Sequence, residues 1–383
     1  MALLIITGIL FLCYTALIIF YDQAWRRLPV YKPKQQYQKA ARFSVIIPAR
    51  NEEKNIGALL TSLRQQSYPK EWFEVIVVDD HSDDDTAEVI TNVTAETDHF
   101  HLIRMTGQKM NSYKKKAIET GIAAAQYEWI ICTDADCVAP PGWLSVFAGF
   151  IAESDPVFIA APVRLMPTAP ANGKENTPLF IFQSLDFISM QGITGASVYK
   201  NAHNMCNGAN LAYKKQVFYE VNGFKGIDAI ASGDDMLLMH KIWKQYPDKI
   251  AYLKSREAIV NTLAAPLWKD FFNQRIRWAS KAKYYDDQRI FWVLLLVYFL
   301  NVSFFVLLTA SFFSIKYFYA LLVLWFAKTL VELPFMVSVS RFFNRQKLLR
   351  WFFFFQPVHI AYIIISGFLG IFGKYEWKGR RVK

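Results

Sequence analysis

The stretch YEWIICTDADCVAP, residues 127–140, decides how the middle of the chain is read. Trp129, Ile130, Ile131 and Cys132 stand in a row, as a buried strand requires, and the run then ends on Asp134 and Asp136. Aspartates at a strand exit also serve as turn or capping residues, so the pair alone assigns nothing. Its neighbours give it meaning.

On the amino-terminal side FSVIIPA (43–49) reads as a buried strand, NIGALLTSLRQQ (55–66) as an amphipathic helix and FEVIVVDD (73–80) as a second strand ending on acids. HLIRM (101–105) is a short strand and residues 112–126, with their alanines, a helix. This alternation implies an α/β domain, a parallel sheet with helices on both faces, whose ligand site lies beyond the carboxyl ends of the strands. Three strand ends then meet in one crevice: Pro48 to Glu53, Asp79 with Asp80, and Asp134 to Asp136. Four aspartates at one sheet edge repel one another unless a cation offsets them, and a hard divalent ion takes oxygen ligands from carboxylates and phosphates together. Lys114, Lys115 and Lys116 open the helix before the acidic strand, within range of the crevice, although a lysine run is commonly just a solvated face.

The 383 residues are 53% hydrophobic and 16% aromatic, high for a soluble enzyme, and the excess is localised. Residues 3–21 carry no charge and are long enough to cross a bilayer. No basic region precedes them and no small-residue cleavage site follows, so they read as an anchor rather than a removed signal. Further apolar runs cover 290–314, 317–340 and 351–373. The net charge of +11 is concentrated beside these runs: Arg26, Arg27, Lys32, Lys34, Lys39 and Arg42 follow the first. Such flanks mark the cytoplasmic side of a membrane, so the charge points to lipid head groups and away from nucleic acid. Cys13, Cys132, Cys137 and Cys206 show no CxxC spacing, which supports neither a zinc site nor a disulfide framework. The expected organisation is an anchor over 1–25, an α/β domain over 40–255, an amphipathic interfacial segment over 256–289 and a membrane region of two to three spans over 290–375. Lys328 and Glu332, one turn apart in an apolar run, are costly in lipid and are expected to face a protein interior. Pro357, with Gln356 and His359 beside it, leaves the last run open as either a full span or a re-entrant segment.

Seven ordered segments, VIIPARNEEKNI (45–56), VIVVDDHSDDDT (75–86), KKKAIETGI (114–122), TDAD (133–136), NGANLAYKK (207–215), SGDDMLLMHKI (232–242) and QRIRW (274–278), resemble the membrane-bound family 2 inverting glycosyltransferases with a GT-A fold. The resemblance implies a Rossmann-like nucleotide-sugar-binding domain between membrane helices. It places Pro48, Arg50 and Glu52 in the loop under the nucleotide and Asp80 at the base, with uracil expected. Asp134 and Asp136 match the DxD motif that binds Mg²⁺ or Mn²⁺ with the diphosphate, and Lys114 holds the family's lysine position. Asp235 takes the catalytic-base position, and Asp234 stands beside it where the family usually has Glu. Without these parallels the pair Asp234–Asp235 would read as a cap and first-turn acid of a helix.

The segment PLWKDFFNQRIRWASKAKYY (266–285) alternates aromatic and basic groups, as an interfacial amphipathic helix does. Gln274, Arg277 and Trp278 also match the family's QxxRW motif, which implies contact with diphosphate and acceptor. The resemblance implies transfer of a sugar, expected from a UDP-hexose, to the hydroxyl of a membrane lipid on the cytoplasmic face of a bacterial inner membrane. The alternative is a processive synthase that extends a β-linked glycan.

Overall fold

The structure, a computed structural model, describes residues 1–33, 41–106, 113–168, 177–228, 230, 233–281, 284–285, 287–372, 376–377 and 380–381. Lys34, Lys39, Ser232, Lys374, Lys378 and Lys383 lie outside the described residues. The chain divides into two compact units: a helical one comprising 1–27, 167–203 and 264–383, and an α/β one comprising 28–166 and 204–263. These units do not follow the linear boundaries expected from the sequence, because residues 167–203 leave the α/β unit.

In the α/β unit, β1 (Phe43–Ala49), β2 (Phe73–Asp79), β3 (Phe100–Arg104) and β4 (Trp129–Cys132) alternate with α2 (Ile56–Arg64), α3 (Thr86–Thr94) and α4 (Tyr113–Ala124). Then follow β5 (Cys137–Val138), α5 (Trp143–Ser154), β6 (Phe158–Ala160) and β7 (Val163–Met166), and after the excursion β8 (Leu211–Lys214), α7 (Lys215–Glu220), α8 (Asp234–Gln245), β9 (Ile250–Tyr252) and β10 (Val260–Leu263). The main sheet has the order β3-β2-β1-β4-β8-β6-β9. β2 is buried along its whole length and β1 at all but Pro48, as central strands covered on both faces must be. α4 lies tight on β1: a Cβ at Gly121 would come 2.6 Å from Ile46, so only glycine permits the approach that fixes the helix carrying Lys114.

The sheet is not wholly parallel as expected. β1 runs parallel to β2 and β4, but β8 lies antiparallel against β4 with Cys132 opposite Leu211. The physical result is a second kind of loop at the ligand edge. An antiparallel strand brings its amino-terminal end where parallel strands bring their carboxyl ends, so residues 207–210 arrive beside the turn after β4. A smaller sheet, β5-β10-β7, begins immediately after that turn.

The helical unit contains α1 (Ala2–Arg27), in the chain excursion α6 (Pro178–Tyr199), and then α9 (Trp268–Ala279), α10 (Gln288–Ser311), α11 (Ile315–Phe342) and α12 (Phe352–Phe372). α6 packs on α1 and α11, with Gly192 closely apposed to Phe335 and Val339. Among the described residues, four helical segments are long and apolar enough to cross a membrane: Ala2–Arg27, Gln288–Ser311, Ile315–Phe342 and Gln346–Ile371. Of the two alternatives for the last run, the helix is continuous through Pro357, which sits in the second turn of α12 and leaves the segment length for a full span. Lys328 and Glu332 are inside the unit, paired at 2.6 Å. Gln356 accepts from Lys328 at 2.8 Å and donates to Glu332, which also accepts from the Tyr14 hydroxyl. Removing one member strands a charge in an apolar interior. Lys328→Ala should therefore lower unfolding free energy in detergent by about 3 kcal/mol, and Lys328→Ala/Glu332→Ala should cost less than the sum of the single changes. Calorimetry of the purified variants checks this, and additive losses would contradict the coupling.

Candidate active site

The turn after β4 is held from both sides. Cys137 N–H donates to the Asp134 carbonyl at 3.1 Å, and Cys137 then pairs in register with Thr262 of β10. Asp134 and Asp136 thus occupy a short turn pinned between two sheets. Lys114, in the first turn of α4, donates to Asp134 Oδ1 at 2.7 Å and lies 3.3 Å from Asp234 Oδ2. Burial by itself would lower the lysine pKa, but the carboxylates of Asp134, Asp234 and Asp235 outweigh it and hold the ammonium well above its ordinary value. The other two lysines of the run diverge. Lys115 is buried and caps the carbonyls of Ile227 and Ile230 in the approach to α8, whereas Lys116 is exposed beside Glu119.

Gly233, at φ +80, turns the chain into α8, whose first turn carries Asp234 and Asp235. Asp235 Oδ1 accepts from Met236 N–H at 2.8 Å, and Oδ2 accepts from Gly208 N–H at 3.0 Å. Each carboxylate oxygen has two acceptor sites, so these bonds fix the group without exhausting it. Gly208 is where the charges meet: a Cβ there would stand 3.3 Å from Lys114 Nζ, 3.5 Å from Asp235 Oδ2 and 3.6 Å from Asp234 Oδ2. Gly208 lies in the segment NGANLAYKK, whose sequence assigns it no role. Its function depends on the antiparallel β8, which four residues between polar flanks do not announce.

The loops after β1 and β2 are knitted together. Asn51 N–H donates to Ser82 Oγ at 3.0 Å, Asp83 N–H to Asn51 Oδ1 at 2.9 Å, and Glu52 N–H to Thr86 Oγ1 at 2.7 Å. His81 adopts the left-handed conformation at φ +54, as expected of a turn residue, and its ring lies 3.0 Å from Asp80 Oδ1. Pro48 is half-buried near the end of β1, and Glu52 Oε2 accepts from Asn55 at 2.7 Å. Arg50 is buried and donates to the carbonyls of Asp80 (2.8 Å) and His81 (2.7 Å) and to Asp83 (3.1 Å). Its guanidinium thus holds the Asp80 loop, a use that the residue's place in the sequence does not reveal.

In the helical unit, Gln274, Arg277 and Trp278 lie on one face of α9, at the i, i+3, i+4 spacing, and are half-buried. Phe271, Arg275 and Ile276 take the buried face.

Metal donors at the turn are oxygens. The thiol of Cys137 is pushed well above its usual pKa by burial and by the charges of Asp136 and Asp134, and burial raises Cys132 to about 12. Among the described residues no three His, Cys, Asp or Glu side chains form a metal cage. Two carboxylates in one turn fit the way Mg²⁺ and ions like it are held, by one or two carboxylates with substrate phosphates completing the shell.

Residues 44–221 match the model of glycosyl transferase family 2, a span that includes the DxD turn and Gly208 and ends before α8. This segment is a family 2 glycosyltransferase domain. Poly-beta-1,6-N-acetyl-D-glucosamine synthase of Staphylococcus epidermidis is 25% identical over 260 residues, covering 64% of this chain and 56% of that protein. The probable glycosyltransferase YdaM of Bacillus subtilis is 23% identical over 269 residues, covering 68% of this chain and 59% of the relative. The chain therefore matches little more than half the length of these relatives. Among solved structures, the mannosyltransferase PcManGT of Pyrobaculum calidifontis, in complex with GDP-Man and Mn²⁺, superposes with a TM-score of 0.57 at 18% identity, covering 96% of this chain and 98% of that one. The likeness establishes the GT-A fold for the glycosyltransferase domain.

Proposed function

We propose that the chain is an inverting glycosyltransferase that moves a sugar from a nucleoside-diphosphate sugar, a UDP-hexose by preference, to a hydroxyl acceptor supplied at a membrane. The observation that carries this reading is the convergence of Lys114, Asp134, Asp234 and Asp235 around Gly208, at the edge where open α/β sheets bind ligands. Asp235 is the base: it accepts the acceptor's proton as the oxygen attacks the anomeric carbon from the face opposite the nucleoside diphosphate. The bond from that carbon to the phosphate oxygen breaks as the new one forms, so an α-linked donor gives a β-linked product. Lys114 stays protonated and offsets negative charge on the departing diphosphate, while Arg50 holds the Asp80 loop under the base. A divalent ion at Asp134 and Asp136 would supply further charge stabilisation to the leaving group. In the helical unit, Gln274, Arg277 and Trp278 would serve the diphosphate and acceptor, with Arg277 as a planar fork and the indole as an apolar face.

For the acceptor we favour a lipid hydroxyl on the cytoplasmic face of a bacterial inner membrane. Four interior polar groups of the helical unit, Tyr14, Glu332, Lys328 and Gln356, are bonded to one another, an arrangement suited to a closed bundle. The second reading is a processive glycan synthase, which the name of the poly-β-1,6-N-acetylglucosamine synthase relatives supports. Membranes containing the protein, incubated with a panel of labelled nucleotide sugars and extracted with organic solvent, test both. The expected result is one discrete labelled lipid with inverted linkage that does not lengthen with time. A water-soluble or gel-forming polymer that grows with donor supply would replace the lipid reading with the second, and no transfer from any donor would overturn the enzyme assignment.

A further inference from the structure

Arg275 occupies an unspecified position inside the QxxRW segment, yet it lies on the buried face of α9. Its side chain is only 4% exposed, and its Nη2 lies 2.6 Å from Asp186 Oδ2 on α6. The Asp186 side chain is 3% exposed, and its other oxygen accepts from the hydroxyl of Tyr362 on α12. Three helices that are distant in the chain therefore meet on one ion pair, within an apolar cluster of Leu179, Phe182, Phe271 and Tyr362. From that anchor Arg275 touches two members of the motif. Its Nη1 donates to Gln274 Oε1 at 3.2 Å, and its guanidinium carbon stands 4.3 Å from the centre of the Trp278 ring and 4.7 Å from that of Phe271.

A buried ion pair is a poor source of stability, since desolvation offsets the attraction and well-packed apolar residues of similar size do as well or better. What an apolar pair cannot do is fix a neighbouring amide and an indole in one orientation. A guanidinium stacked between two rings and locked to a carboxylate has little rotational freedom, and the surfaces it touches inherit that restraint. We propose that Asp186 and Arg275, with Tyr362, are positioning residues that set the orientation of Gln274 and Trp278 for the transfer reaction. This rests on the functional reading above for its catalytic consequence, but not for its structural one.

The test replaces the pair by an apolar one. In Asp186→Leu/Arg275→Met, the melting temperature in detergent should be unchanged or raised, the donor KM unchanged, and kcat lower by about tenfold or more, because small misplacements of a positioning group carry penalties of that order. In the same proteins labelled with 5-fluorotryptophan, the ¹⁹F resonance of Trp278, assigned by its loss in Trp278→Phe, should shift and broaden. Tyr362→Phe removes only the hydroxyl and should move the same resonance less, in the same direction. It also answers the question if the double variant fails to fold. A stable double variant with wild-type kcat overturns the proposal. So does a Trp278 resonance that moves in neither variant, whether or not any donor is turned over. Absence of transfer in the wild type would instead overturn the functional reading, and the ¹⁹F spectra would still decide the positioning role.

Discussion

Asp235→Asn should reduce turnover by about three orders of magnitude, within the range that a positioned general base contributes, while leaving donor affinity within about twofold. The two effects separate because, in the proposed mechanism, the residue takes the acceptor's proton and does not hold the nucleotide. The local geometry makes the prediction demanding. Both oxygens of Asp235 accept backbone N–H groups, from Met236 and Gly208. An asparagine must turn its own NH₂ toward one of those donors, so part of any loss comes from a displaced Gly208 loop. Asp235→Glu keeps the charge and moves the carboxyl group by one methylene, and it should retain more activity than the amide. Single-turnover kinetics together with nucleotide titration distinguish the cases: near-normal turnover in Asp235→Asn would remove Asp235 from the role of base.

Asp136→Asn should act at the other end of the reaction. Its loss is expected in donor binding, roughly a hundredfold, or about 3 kcal/mol, and the remaining affinity should no longer depend on added Mn²⁺ or Mg²⁺. The reason is a contrast within the motif. Asp134 already has the Lys114 ammonium at 2.7 Å, so in the proposed site Asp136 is the carboxylate whose binding partner is the metal. Calorimetric titration of the nucleoside diphosphate with and without the metal measures this, and equal metal dependence in variant and wild type would refute it.

The central strands were legible because their signal is local. The apolar run 43–49 is β1 without adjustment, and the acids at the ends of β2 and β4 follow from strands that stop at a ligand edge. α6 carried no such signal: Gln183, Asp186 and Gln191 interrupt its apolar run, so nothing marked it as separate from the α/β domain, and only its packing against α1 and α11 assigns it to the helical unit. β5 has two residues, and its pairing with β10 is made by chain that lies far away in sequence. At the site, topology plus residue type was enough to nominate Asp134 and Asp136 and to bring Lys114 within range, while Asp235 was nominated by the family resemblance. Neither was enough to show that Arg50 faces its neighbouring loop or that Gly208 N–H meets Asp235. Charge says that a residue needs a partner; only the fold says which one.

The excursion of residues 167–203 has a consequence for how such an enzyme can be taken apart. A contiguous fragment covering 40–255 would retain α6, with its apolar sides stripped of α1 and α11, and would end before Val260–Leu263. Losing that strand frees the edge of β5 and slackens the turn that presents Asp134 and Asp136. The α/β and helical units are therefore not separable cassettes in this chain. Grafting the α/β unit onto another protein requires two simultaneous junctions, near 166 and 204, and a single crossover between relatives would inherit either the turn after β4 without its support or a helix without its neighbours.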